Sequence, residues 1–356
     1  MSRTRLLFSL GVIAASLSLS CSIAHAKVYV SDELAYDTPV QSLVVKPNQM
    51  VWYPLPSLSS NESLRVHFIV NNKAFSDISV AVCDTPNLNA LKNGQSYRCF
   101  HADRVKRGGD LEASIYGVGQ HFVAFDNRYA GFISKSVSFN ETVQYEVDPR
   151  RREMLQDMFQ KFYLTTKRMF NFRDFNINVK ACGFANASSD ARTGDITMCS
   201  ELLLPMILGK QLGAIAGSAY HELGHTLLGE WKLPGNDNER TADEFAVVMM
   251  FLTNSQHLIY EWTNWFQVRA NTHLTGELNG ALSGDQHPLS VQRVAAIQEI
   301  LNNPGPVIQR WLTILYPHMT DEALEQAARG SVSLQTSPSL ARQILDDRRA
   351  QAELRN

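Results

Sequence analysis

Between residues 27 and 147 apolar and polar positions alternate in short runs. Gln41–Lys46, Leu64–Val70, Ile78–Val82, Gln120–Phe125 and Ser134–Phe139 are rich in β-branched residues. A period of two puts one face of each run inward, as in a half-buried strand. Turn residues separate the runs: Pro47-Asn48, Asn71-Asn72, Gly108-Gly109 and Asp126-Asn127. Short strands with such breaks predict an antiparallel β-sandwich over residues 27–147. From residue 148 the period becomes helical. Met154, Leu155, Met158, Phe159, Phe162 and Tyr163 form one stripe. Two short strands follow, at 175–179 and 196–198, and the polar stretch Asn186–Gly194 between them reads as the turn of a hairpin. Leu212, Ile215, Ala219, Leu223 and Leu227 then mark one face of a long helix, with no proline between Gly209 and Lys232. Ala246–Leu252 continues a second, buried helix, Leu258–Val268 is aromatic-rich core or pocket wall, and 304–330 is a helical pair broken near Pro317. The tail, 331–356, is polar and charged and reads as a loose helix or disorder. The fold class expected is α+β, an N-terminal antiparallel β-sandwich followed by a mainly helical domain over 148–330.

Residues 1–26 depart from both patterns. Arg3 and Arg5 precede an apolar run from Leu6 to Leu19, and Ala24-His25-Ala26 fits a small-x-small cleavage site. This is a secretory signal peptide, so the chain is expected to be exported, to a periplasm or to the medium. Lipidation at Cys21 is the rival; Ser18-Leu19-Ser20 lacks the apolar residue such a site needs three before the cysteine. The mature chain has no other membrane-length apolar run. Four cysteines remain: Cys83, Cys99, Cys182 and Cys199. In an exported protein an even number points to disulfides. Local pairing, Cys83 with Cys99 and Cys182 with Cys199, puts one bridge in each half, and other connectivities stay open. Net charge is −2, which offers nucleic acid no basic surface and a membrane no polybasic anchor. Oligomeric state leaves no mark on the sequence.

The chemistry concentrates in Gly217–Gly229, which contains His221-Glu222-Leu-Gly-His225. At about 100° per residue the two histidines lie one helical turn apart and face the same way. Two imidazoles so placed can converge on one zinc ion, with Glu222 beside them to act on a zinc-bound water. Gly224 lets another backbone approach. A catalytic zinc takes three protein ligands and keeps one position open. Downstream, Glu239 and Asp243 are four apart on the next helix. One can ligate, and the other can hold a histidine through its free ring nitrogen. Pro234 and Gly235 suit the turn between the helices, and Asn236 or Asp237 suits its cap. In Asp285–Arg293, His287 and Arg293 are candidates to stabilise an oxyanion.

His221-Glu-Leu-Gly-His225 followed by Glu239-x-x-x-Asp243-Glu-Phe-Ala resembles the gluzincin metallopeptidases. It is most similar to the HtpX-like and CAAX-protease-like group, and to bacterial metallopeptidase-like proteins of uncharacterised substrate. The resemblance covers roughly residues 150–300. It implies a zincin-like catalytic domain, His221, His225 and Glu239 as ligands of one Zn²⁺ per chain, Glu222 as general base and Asp243 supporting a ligand. A segment like Asp285–Arg293 also follows the metal motif in HtpX-like enzymes. It implies a peptide or protein substrate, which an edge strand beside the metal helix would align. HtpX-like enzymes have transmembrane helices, and this chain departs from them there. Gly119–Asn127 through Phe139 looks like the late strands of GOLD-type sandwiches. Two other functions fit the same motifs: a non-catalytic, zinc-stabilised binding protein, and a zinc hydrolase acting on cell-wall peptides.

Overall fold

The computed structural model describes residues 27–38, 40–55, 62–71, 77–106, 108–113, 119–269, 290–330 and 338–353. The chain is α+β, with antiparallel sheets in its N-terminal part and helices in its C-terminal part. The N-terminal sheets face each other. One runs β2 (Glu33–Asp37), β10 (Lys135–Glu146), β5 (Glu62–Val70), β8 (Gly108–Ala113), and β3 (Gln41–Val45) also pairs with β10. The other runs β4 (Met50–Pro54), β9 (His121–Asp126), β6 (Asp77–Asp84), β7 (His101–Lys106). Strand alternation sends Val66, Phe68, Val80, Val82, Val123, Phe125, Val137 and Phe139 into the space between them. A short helix the sequence pattern did not announce, α1 (Thr85–Lys92), covers the outer face of the second sheet. The Cys83–Cys99 bridge lies beside it.

One strand departs from the expected division. β1 (Val28–Val30), read with the sandwich, pairs in parallel with β11 (Ile177–Lys180) in a third sheet, order β1-β11-β13-β12. The other strand expectation also changes. β11 and β13 (Ile196–Cys199) are parallel neighbours and not arms of a hairpin. The reversal comes from β12 (Ala187–Ser189), inside the stretch read as a turn, which pairs antiparallel with β13 and forms the sheet edge. The Cys182–Cys199 bridge closes this segment.

The helices pack on that third sheet. α2 (Pro149–Met169) starts at Asp148, whose side chain accepts from the backbone N–H of Arg150 and Arg151 at 3.0 Å, with Pro149 in the first turn. Its buried residues, Leu155, Phe159, Tyr163 and Thr166, recur at helical spacing. Then come α3 (Ser200–Leu208), α4 (Leu212–Glu230), α5 (Glu239–Leu252), α6 (259–269), α7 (Ser290–Asn302), α8 (Pro304–Leu315) and α9 (Asp321–Ala328). The described part of the tail is not loose: α10 (Pro338–Glu353) buries Ala341 and Leu345 on the helical core, and Arg348 donates to the carbonyls of Pro317 and Met319. Two buried apolar side chains per four turns are too few to stand out in so polar a sequence. The sandwich and helical parts share core, since Leu34, Tyr145 and Val147 pack in the helical cluster. Ala35 N–H donates to Ser200 Oγ at 2.9 Å.

Candidate metal centre

α4 is buried on most of its surface, including Ile215, Ala219, Leu223 and Leu227 on the expected face. Leu212, read as part of that stripe, is instead half exposed at the helix start. Gly224 stands where α4 meets α5. A Cβ there would lie 3.1 Å from the Phe245 ring and 3.4 Å from Ala242 Cα. The missing side chain brings α5 close enough for Glu239 and Asp243 to reach the histidines of α4. The turn between the helices uses left-handed backbone at Lys232 (φ 55°) and Gly235 (φ 83°). Asn238, not Asn236 or Asp237, caps α5, accepting from Thr241 N–H at 3.0 Å. Asn236 has another use, described next.

The two imidazoles are held by their Nδ1 atoms. His221 Nδ1 lies 2.8 Å from Asp243 Oδ1, and His225 Nδ1 lies 2.6 Å from the Asn236 carbonyl. A carbonyl only accepts, so Nδ1 of His225 donates, and in the neutral ring its Nε2 carries the lone pair. Both Nε2 atoms turn toward Glu239. The separations are 3.0 Å from His221 Nε2 to Glu239 Oε2, 3.4 Å from His225 Nε2 to Glu239 Oε1, and 3.3 Å between the two Nε2 atoms. A tetrahedral ion with bonds of about 2.0–2.1 Å separates its ligand atoms by about 3.3 Å. The donor set therefore fits a metal, and His221, His225 and Glu239 are the residues that could hold it.

The same geometry governs protonation. Burial and the nearby Arg293 charge oppose imidazolium at His221, but hydrogen bonds to Asp243 and Glu239 outweigh them and push it up to about 9. At His225 burial again opposes, and Glu239 and the Asn236 carbonyl raise the value. Burial would raise the Asp243 carboxyl, but Arg293 and His221 hold it below the usual carboxylate range. Protons and a metal thus compete for the same lone pairs.

A cleft of about 290 Å³ opens beside the centre, lined by Glu222, His225, Thr226 and Glu239 on one side and by Ser188, Ser189 and Asp190 on the other. Glu222 is buried in its wall. The edge strand β12 runs along α4, tied there by Thr226. Its Oγ1 donates to the Gly194 carbonyl at 3.0 Å, and its single hydroxyl hydrogen being used there, it accepts from Ser189 Oγ at 2.7 Å. Arg173 stands at the cleft rim with Glu230, whose carboxylate accepts Arg173 N–H at 2.7 Å.

Of the two oxyanion candidates, His287 lies outside the described residues. Arg293 does not line the cleft. It reaches from α7 to the far side of His221 and donates from Nε to Asp243 Oδ2 at 3.0 Å, with Nη2 on Asp243 Oδ1. Its expected role at an oxyanion has no geometric support. Asn236 was singled out only as a helix cap, and Ser189 and Thr226 escaped sequence reading. Only their nearness to His225, in sequence or through a strand pairing, would have marked them.

Residues 208–301 match the model of a family, DUF4344, described as "Putative metallopeptidase". No curated protein matches the sequence. Among solved structures, the chain is similar to a periplasmic inhibitor of g-type lysozyme, PliG, from Aeromonas hydrophila (9% identity, 33% of this chain and 97% of that one, TM-score 0.22). It is similar to a Bacillus endospore appendage protein of disulfide-linked pili (7%, 38% and 100%, 0.22). A CBM36-1 domain of a xylanase from the hindgut metagenome of Trinervitermes trinervoides is comparable (8%, 33% and 98%, 0.20). These likenesses are too slight to bear on fold or function. The family match takes in α4, α5 and Arg293, so the segment that carries His221, His225 and Glu239 is the one similar to that family.

Proposed function

We propose that this chain is an exported zinc metallopeptidase. The observation that carries the reading is the donor triangle of His221, His225 and Glu239, spaced for a tetrahedral ion, with Glu222 in the wall of the adjoining cleft. Two nitrogens and a carboxylate oxygen are zinc ligands in type and number, and three protein ligands match a catalytic site rather than a closed structural one. When bound, zinc supplies Lewis acidity, making a water acidic near neutral pH and polarising the scissile carbonyl. Glu222 takes the proton of the attacking water and delivers it to the leaving amine. Asp243 and the Asn236 carbonyl keep the proton of each imidazole on Nδ1, so both Nε2 atoms stay available. The place of β12 at the edge of its sheet, with Ser188 and Ser189 lining the cleft, supports an extended peptide as substrate. Export is supported by residues 1–26, by two disulfides, and by the lack, among the described residues, of a helix long and apolar enough to cross a membrane.

The test uses the chain from Lys27 and its Glu222→Gln variant, with metal content and hydrolysis of a mixed peptide pool measured on both. About one zinc in each, with cleavage falling at least 10³-fold in the variant, is the expected outcome. Turnover retained in zinc-loaded Glu222→Gln would remove Glu222 from the mechanism. Zinc in both with no cleavage in either would favour a zinc-stabilised binding protein.

A further inference from the structure

We propose that Arg293 is a positioning residue for the metal centre, which acts through Asp243 to hold His221 with its proton on Nδ1 and its lone pair on Nε2. The proposal rests on the metallopeptidase reading above and adds a third helix, α7, to a centre otherwise built from α4 and α5.

The geometry allows two arrangements around His221 Nδ1. Asp243 Oδ1 is 2.8 Å from it, and Arg293 Nη2 is 3.0 Å from it. If Nδ1 carried the lone pair, it would accept from Arg293, the proton would sit on Nε2, and that nitrogen could not ligate a metal. The same arrangement would set the Nδ1 lone pair against a carboxylate oxygen 2.8 Å away, acceptor against acceptor. Arg293 excludes it by occupying both Asp243 oxygens, Nε on Oδ2 and Nη2 on Oδ1, which keeps Asp243 a pure acceptor. Nδ1 then has one consistent role, as donor to Oδ1.

Arg293 is itself held. Its guanidinium lies 4.2 Å from the centroid of the Phe266 ring and 5.8 Å from that of Trp262, both buried side chains of α6. Its side chain is only 11% exposed and is not among those that line the cleft. A planar fork set against an aromatic ring and bonded to two carboxylate oxygens is a geometry lysine cannot reproduce. An arginine that served an oxyanion would instead project into the space where substrate sits.

The test is a double-mutant cycle on the chain from Lys27: parent, Arg293→Met, Asp243→Asn and the double variant. Zinc affinity is read by chelator competition, and kcat and KM on any peptide the parent cleaves. Circular dichroism of the metal-free proteins checks folding. Arg293→Met is expected to weaken zinc binding about 10–100-fold and to lower kcat with KM changed less than about threefold. Because Arg293 works through Asp243, removing it in the Asp243→Asn background should cost less than about threefold further. Arg293→Lys serves where Arg293→Met does not fold; it keeps the charge, loses the fork, and should still bind zinc about tenfold more weakly. Parent-like zinc affinity in Arg293→Met or Arg293→Lys, or fully additive losses in the cycle, would overturn the proposal while leaving the metallopeptidase reading intact. A parent that binds no zinc would overturn both.

Discussion

At the scale of the residue, the centre is organised by which atom of each histidine is spoken for. Asp243 and the Asn236 carbonyl take the two Nδ1 positions and so point both Nε2 atoms at Glu239. This has a pH signature. His221 is raised to about 9 in the folded, metal-free protein, above the value near 6.5 of an unfolded chain. Its contribution to metal-free stability is therefore complete below about pH 6.5 and lost as pH rises through about 9. Zinc bound at Nε2 would displace that proton, so affinity should climb as pH rises toward about 9, by up to about tenfold per pH unit for each proton released. Calorimetric titrations at pH 7 in buffers of different ionisation enthalpy should show release of at least one proton per zinc. An observed heat independent of buffer would mean that His221 is already neutral and that the Asp243 and Glu239 hydrogen bonds do not govern it.

At the scale of the element, the contiguous part of the site was legible and the rest was not. His221, Glu222 and His225 sit on one helix, and a period of 3.6 residues is enough to see two of them converge. Glu239 and Asp243 could be placed on the next helix for the same reason, and Gly224 could be marked as a point of close approach. Arg293 could be singled out, yet its partner could not, because that depends on how α7 packs against α5. β12 was unreadable: Ala187-Ser188-Ser189 carries no β-branched residue and is strand because β13 pairs with it and Thr226 ties it to α4. That tie makes a prediction. Thr226→Val keeps the shape of the side chain and strips the Gly194 carbonyl and the Ser189 hydroxyl of their partner. It should destabilise the protein by about 1–3 kcal/mol and raise KM several-fold with a smaller change in kcat, since the edge strand moves and the ligands do not. Denaturant unfolding together with steady-state kinetics would check this, and an unchanged KM would separate β12 from substrate binding.

At the scale of the whole molecule, the division into a strand-rich part and a helical part was readable from the switch in hydrophobic period near residue 148, but the path of the chain between them was not. Val28–Val30 is too short a run to reveal its partner, and that partner is β11, in register from Val28 with Ile177 to Val30 with Val179. Deleting residues 27–31 should therefore destabilise the helical part, far along the sequence, by roughly 2–4 kcal/mol for the lost ladder hydrogen bonds and the burial of Val30. Tryptophan fluorescence during denaturation would register it, since Trp231, Trp262, Trp265 and Trp311 all lie in the helical part. The strand also shapes the order of assembly. Its pairing closes a loop of about 150 residues, and that loop contains the entire sandwich. Such a distant contact forms late and slows folding. Residues 28–30 are among the last to settle, and the sheet under α4 is complete only once everything between them and β11 has been made.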